Sequence, residues 1–186
     1  NLKLVESLAE AHPTQQCSQE IFYYIYSILY SNIYRSKYAE FLKIDFPRVP
    51  FTKDYGLFSR IRKCGEQLAG LHLLKSAELS NPVAKFQGSG DNRVKKPIYN
   101  EKEKRVYINN DQYFEGIGKE VWKYQIGGYQ VLDKWLKDRK GRKLFLEDVK
   151  HYCQVVTALK KTMEVQKEIN NSYLGIEKET VSIKDI

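Results

Sequence analysis

Apolar residues recur at Ile21, Phe22, Ile25, Ile28 and Leu29, the spacing of one helix face, and Ser18 stands where an N-terminal cap belongs. The pattern predicts a helix beginning at Ser18, with Tyr23, Tyr24, Tyr26 and Tyr30 carrying its apolar surface almost all the way round. Core packing is the simpler reading of those tyrosines than a platform for stacking bases. A shorter helix is predicted from Tyr34 to Lys43 on Tyr38, Phe41 and Leu42, until Pro47 and Pro50 forbid helical continuation. The stretch LFSRIRKCGEQLAGLHLLK reads as a third helix. Phe58, Ile61, Leu68, Leu71 and Leu74 lie on or near its buried stripe, and Gly65 and Gly70 permit close approach. His72, set among leucines, reads as a core histidine rather than a ligand or base.

After Pro82 the period shortens to two. Apolar and polar residues alternate between Gly, Asn and Asp turn signals, as in antiparallel strands, with Val83, Phe86, Val94, Ile98, Val106 and Ile108 predicted to face inward. VWKYQI is predicted as a further strand, turned by Gly127 and Gly128 into a helix from Tyr129 to about Arg139. A long final helix follows, with Val149, Tyr152, Val155, Val156, Leu159, Met163 and Val165 or Ile169 near one stripe. Helices, then strands, then helices make the class α+β, with N-terminal helices, a central antiparallel β region and C-terminal helices. The expected organisation is one domain over 1–186, with a helical lobe at 1–80, a β lobe at 81–128, a helical lobe at 129–173 and a loosely attached tail at 174–186.

The first residue is Asn1, and the opening NLKLVESLAEAHPT is neither a secretory signal nor a membrane span. The expectation is a piece of a larger polypeptide, cytoplasmic and not associated with membrane. Cys17, Cys64 and Cys153 are odd in number and lack CxxC or Cys/His spacing, which supports neither a disulfide framework nor zinc.

No phosphate-binding loop is found. The nearest candidate, GSGDN at Gly88 to Asn92, has no helix after it and reads as a turn. Asp91, Glu101, Glu103 and Asp111 show no nuclease spacing and read as solvated surface, and serine or cysteine hydrolase motifs are absent. Nothing nominates an enzyme.

The formal net charge of +8 points instead toward a polyanion. The positive residues fall in two groups, Lys85, Arg93, Lys95, Lys96, Lys102, Lys104 and Arg105, then Lys134, Lys137, Arg139, Lys140, Arg142 and Lys143. Gln87, Asn92, Tyr99, Asn100 and Asn109 are interleaved with the first group. Amide side chains make paired hydrogen bonds to base edges, whereas lysines anchor phosphates. Part of the 137–143 run also complements the dipole at a helix C-terminus.

FYYIYSILYSNIYRSKYAEFLKIDFPRVPF, LFSRIRKCGEQLAGLHLL and VWKYQIGGYQVLDKWLKDRKGR, in that order, carry a resemblance. From about Ile21 to Lys167 the chain resembles the C-terminal target-recognition, or specificity, region of large single-chain restriction-modification proteins, the type ISP and related adenine-specific DNA methyltransferases. The resemblance implies an upstream, covalently linked methyltransferase domain holding S-adenosylmethionine and an NPPY-like motif that places a flipped adenine. Neither motif is present here, so the fragment is expected to recognise double-stranded DNA, to hold no cofactor and to catalyse nothing. Within the shared motifs Phe46, Pro47, Pro50, Gly127, Gly128, Tyr129, Leu132 and Trp135 are expected to set turns and bury apolar area, and Arg48 to be structural.

From side-chain chemistry rather than family correspondence, Gln87, Asn92, Arg93, Lys95 and Lys96 are the expected base readers. Lys85, Lys102, Arg105, Lys137, Arg139, Lys140, Arg142 and Lys143 are the expected phosphate contacts. The alternative is a helical module docking the catalytic domain through its tyrosine-rich helix, with incidental positive charge.

Overall fold

The computed structural model describes residues 18–178 and Thr180; Cys17 and most of the expected tail lie outside the described residues, and Ser18 is the first helical residue among those described. The chain divides into two compact units, one running up to Gly70 and resuming at Thr162, the other spanning Leu71–Lys161.

In the first unit α1 (Ser18–Tyr30) and α2 (Asn32–Lys37) are separated by Ser31, whose hydroxyl caps α2 by accepting from the Tyr34 backbone N–H. The predicted helix to Lys43 stops early, and only a 3-10 turn at Phe41–Lys43 remains. Tyr34 turns the chain back there: its hydroxyl donates to the Arg48 carbonyl at 3.0 Å. The third helix, α3 (Tyr55–His72), starts and ends slightly earlier than predicted and crosses α1 at Gly65. A Cβ at Gly65 would sit 1.8 Å from the Tyr23 carbonyl oxygen, so the glycine is obligatory for that approach. Tyr24 stacks between Phe51 and Phe58, and the Ser27 hydroxyl donates to the Ile61 carbonyl at 2.6 Å, which satisfies a buried polar group. The end of α6 (Leu146–Ile176) completes this unit, passing Tyr173 and burying Ile176, while Thr180 pairs with Thr52. Phe46 does not bury its ring as expected: its N–H donates to the Asp45 carboxylate, and the residue is 87% exposed.

In the second unit a four-stranded antiparallel sheet has the order β1-β4-β3-β2, from β1 (Lys85–Gln87), β2 (Ile98–Asn100), β3 (Arg105–Tyr107) and β4 (Tyr113–Glu115). Val94, Val106 and Ile108 are fully buried as predicted. Ile98 is not: Tyr99 opposes Val106, so Tyr99 takes the inward position, stacks on Trp122 and donates its hydroxyl to the Ile117 carbonyl. With a period of two, its neighbour Ile98 must then face out, and it is 53% exposed.

VWKYQI is likewise not one strand. Val121 and Trp122 are consecutive and both buried, which alternation forbids and a helical turn allows, so they close α4 (Lys119–Trp122). Only β5 (Gln125–Ile126) is extended, pairing with β6 (Tyr129–Gln130) before α5 (Val131–Lys137). Leu132 and Leu136 are fully buried, and Trp135 packs on Tyr152 of α6. His72 ends α3 half-buried, and burial lowers its pKa, in keeping with the core reading. The Cys64 and Cys153 thiols are pushed up to about 12 and about 11 by burial, which leaves both unreactive.

Candidate nucleic-acid interface

Two basic stretches some fifty residues apart in the chain meet through their backbones. Arg93 and Lys143 form an antiparallel bridge. Around it the Val94 N–H donates to the Arg142 carbonyl at 3.0 Å, the Gly141 N–H to the Val94 carbonyl at 2.7 Å, and the Leu144 N–H to the Asn92 carbonyl at 2.9 Å. Val94 and Leu144 are buried, at 0% and 1% exposure, so they anchor this short ribbon from below. Residues directly opposite in an antiparallel pair share a face, which puts Arg93 and Lys143 on the side away from those anchors.

A polar lock fixes the ribbon to the sheet. Gln112, buried, accepts from the Asn92 N–H at 2.8 Å and donates from Nε2 to Asn92 Oδ1 at 2.6 Å. Asn109 Nδ2 donates to Gln112 Oε1 and to the Arg93 carbonyl, while its Oδ1 accepts from the Asp111 and Gln112 N–H groups in an Asx turn. Asn92 itself is left-handed at φ 58, a conformation asparagine tolerates. Arg139 braces the other strand: its guanidinium lies 3.6 Å from the Trp135 ring centroid and donates to Asp148 and to the Trp135 carbonyl. Asp148 in turn accepts from the Phe145 N–H at the start of α6.

The expected base readers therefore separate. Asn92 is spent on the lock, and its remaining Nδ2 faces the Leu144 carbonyl. Gln87 donates to Glu115 across the sheet. The other interleaved polar residues, Tyr99, Asn100 and Asn109, also bond within the protein. Arg93 donates to the Gly141 carbonyl at 2.6 Å and lies 3.6 Å from Asp91, whose carboxyl is held below its usual range by the Arg93 N–H. Lys95 and Lys96 are exposed and have no ion pair among the described residues.

The expected phosphate contacts divide too. Lys140, Arg142 and Lys143 are exposed and free of ion pairs among the described residues, on the ribbon beside Lys95 and Lys96. Lys137 is paired with Asp133 at 2.6 Å, and Arg139 is the brace just described. Arg105 lies between Glu103 and Glu115 with its guanidinium over Tyr113, so its charge is used within the sheet. Lys85 is exposed on edge strand β1, and Lys102 at the β2–β3 turn; both sit on the sheet rather than the ribbon. Among the described residues no cluster of His, Cys, Asp and Glu could hold a metal, and no helix is long and apolar enough to cross a membrane.

The family model described as the Type ISP C-terminal specificity domain matches residues 2–168. The chain belongs to that family. Solved structures share its fold. A nuclease-deletion mutant of the Type ISP restriction-modification enzyme LlaGI, solved with a DNA substrate mimic, matches 82% of this chain with a TM-score of 0.62 at 23% identity. The ATP-dependent Type ISP restriction-modification enzyme LlaBIII, bound to DNA, matches 84% with a TM-score of 0.63 at 20% identity. DrdV in a DNA complex matches 89% with a TM-score of 0.71 at 20% identity. The Type ISP specificity domain seen here spans 14%, 11% and 19% of those chains respectively. No curated protein matches the chain.

Proposed function

We propose that this specificity domain holds and reads duplex DNA on behalf of a larger restriction-modification protein. The observation that carries the reading is the ribbon: two basic stretches, remote in sequence, are hydrogen-bonded into one rigid strip whose free cations are Lys95, Lys96, Lys140, Arg142 and Lys143. Fixed cations gain from counterion release without an ordering cost at the moment of binding. Lys140, Arg142 and Lys143 hold phosphates, with Lys85 and Lys102 as outlying contacts. Lys95 and Lys96, on the facing strand, reach base edges, where lysine ammonium pairs with guanine O6 and N7. Adenine methylation, with S-adenosylmethionine, belongs to the upstream domain of the cytoplasmic parent protein, and this domain contributes no catalytic group.

The test uses the full-length protein. Replacing Lys140, Arg142 and Lys143 together by alanine weakens binding to all duplexes and lowers the salt dependence, while Lys95→Ala or Lys96→Ala shifts the sequences recovered from a pool of random duplexes. Unchanged salt dependence in the triple variant refutes the reading. A second reading, docking onto the catalytic domain, is favoured by one observation: Ile44 and Phe46 stand 85% and 87% exposed on the first unit. Ile44→Ser with Phe46→Ser weakening a complex with the separately expressed methyltransferase part, in the absence of DNA, supports that second role.

A further inference from the structure

The β5–β6 hairpin places two apolar side chains in solvent at its tip. Ile126 is 52% exposed and Tyr129, directly opposite in register, is 64% exposed. This is the reverse of the burial expected for Tyr129. Between them Gly127 and Gly128 adopt φ of 57° and 83°, the positive pair that a two-residue hairpin turn demands. A Cβ at either glycine would meet nothing within 4 Å, so the glycines serve the turn and not close packing, and the tip stands clear of the fold. Behind it, Lys134 holds its ammonium 5.6 Å from the Tyr129 ring centroid and is itself paired with Asp138. The tip carries no charge of its own: it reads Gln125, Ile126, Gly127, Gly128, Tyr129 and Gln130, with exposed Lys123 just before it.

One short helix joins this tip to the basic ribbon. α5 begins at Val131, immediately after β6, and ends at Lys137, one residue before the Arg139–Lys143 stretch. Its seven residues span about 10 Å. Leu132 and Leu136 bury it completely on one side, so tip and ribbon are the two ends of a fixed strut. The length of that helix is close to the width of the major groove, about 12 Å. An uncharged apolar wedge flanked by amides and lysines has the chemistry of side chains that enter a groove and open a base step.

We infer that the Ile126–Tyr129 tip is a second DNA contact, a wedge that enters a groove beside the gripped backbone and partly unstacks one base step. The inference rests on the proposed reading of the ribbon. Charge supports DNA as the occupant, since Lys123 stands exposed beside the tip, the charge of Lys134 is balanced by Asp138, and no carboxylate sits on the tip itself.

The experiment binds the full-length protein to duplexes carrying 2-aminopurine at successive positions of the recognised site. The unaltered protein brightens the probe at one step. Tyr129→Ala and Ile126→Ala abolish the brightening and weaken binding about tenfold or more, in line with the cost of losing one stacked base, with the salt dependence unchanged. Tyr129→Phe, which keeps the ring, retains the signal. Thermal melts confirm folding of each variant, and both side chains are exposed enough for replacement to be tolerated. No brightening with the unaltered protein, or tip variants that bind and brighten as it does, overturns the inference. If those variants match the unaltered protein while the ribbon triple variant loses salt dependence, the wedge alone fails; if the triple variant is unchanged as well, the reading of the ribbon fails with it.

Discussion

Gln112 uses both ends of one amide on Asn92, taking its N–H and giving to its side-chain carbonyl, and does so at 2% exposure. Removing a buried partner leaves the other group unsatisfied at about 1–3 kcal/mol. Gln112→Ala is therefore expected to destabilise the domain by about that amount, and to speed amide exchange at Arg93 and Val94 more than elsewhere in the sheet. Equal exchange across the sheet would show the lock to be idle. Tyr152 presents the opposite case. Its ring fills the core against Phe114 and Trp135, but its buried hydroxyl has no hydrogen-bond partner among the described residues, and burial drives its pKa well up. Tyr152→Phe removes an uncompensated polar atom and keeps the shape, so its melting point is expected to match or exceed that of the unaltered protein. Tyr152→Ala is expected to cost about 3–5 kcal/mol through the cavity it leaves.

At the scale of elements, Arg139 shows why a run of charge does not announce its roles. RKGRK, Arg139 to Lys143, reads as uniform positive density. Within it Arg139 is committed to Trp135 and Asp148, whereas Arg142 and Lys143 have no ion pair among the described residues, and the difference arises only once α5 and α6 have packed. Arg139→Gln is expected to lower the melting point and weaken duplex binding while leaving the salt dependence close to that of the unaltered protein. Arg142→Gln is expected to reduce the salt dependence with little effect on melting. The long helices were legible because their apolar period persists over several turns, and Gly65 was legible as a close approach. The short elements were not. Val121 and Trp122 look like strand residues until both prove buried, and Ile98 reads as core until Tyr99 takes its place. The lock was invisible for a plainer reason: Gln112 reaches Asn92 twenty residues away, and no local pattern marks that pairing. The same is true of the ribbon, which depends on a bridge between positions 93 and 143.

Across the whole molecule, 31 basic residues face 23 acidic ones, and many of the described ones cancel in pairs. Net charge of this size draws any polyanion; the fixed, unpaired cations decide where it is held. Each phosphate neutralised adds about −0.9 to the slope of log affinity against log salt. The ribbon's three phosphate contacts together with one of the outlying lysines would give a slope near −3.6, so raising salt from about 50 to 200 mM would cost the complex roughly a hundredfold in affinity. Replacing Lys140, Arg142 and Lys143 together is expected to flatten that slope by about 2.7. Replacing Lys134, Lys137 and Lys119, which carry the same three charges but are held by Asp138, Asp133 and Glu101, is expected to change it far less. The contrast separates fixed geometry from bulk charge. Equal flattening in both triple variants would mean that the duplex senses only the protein's overall positive field, and the ribbon would lose its special place in recognition.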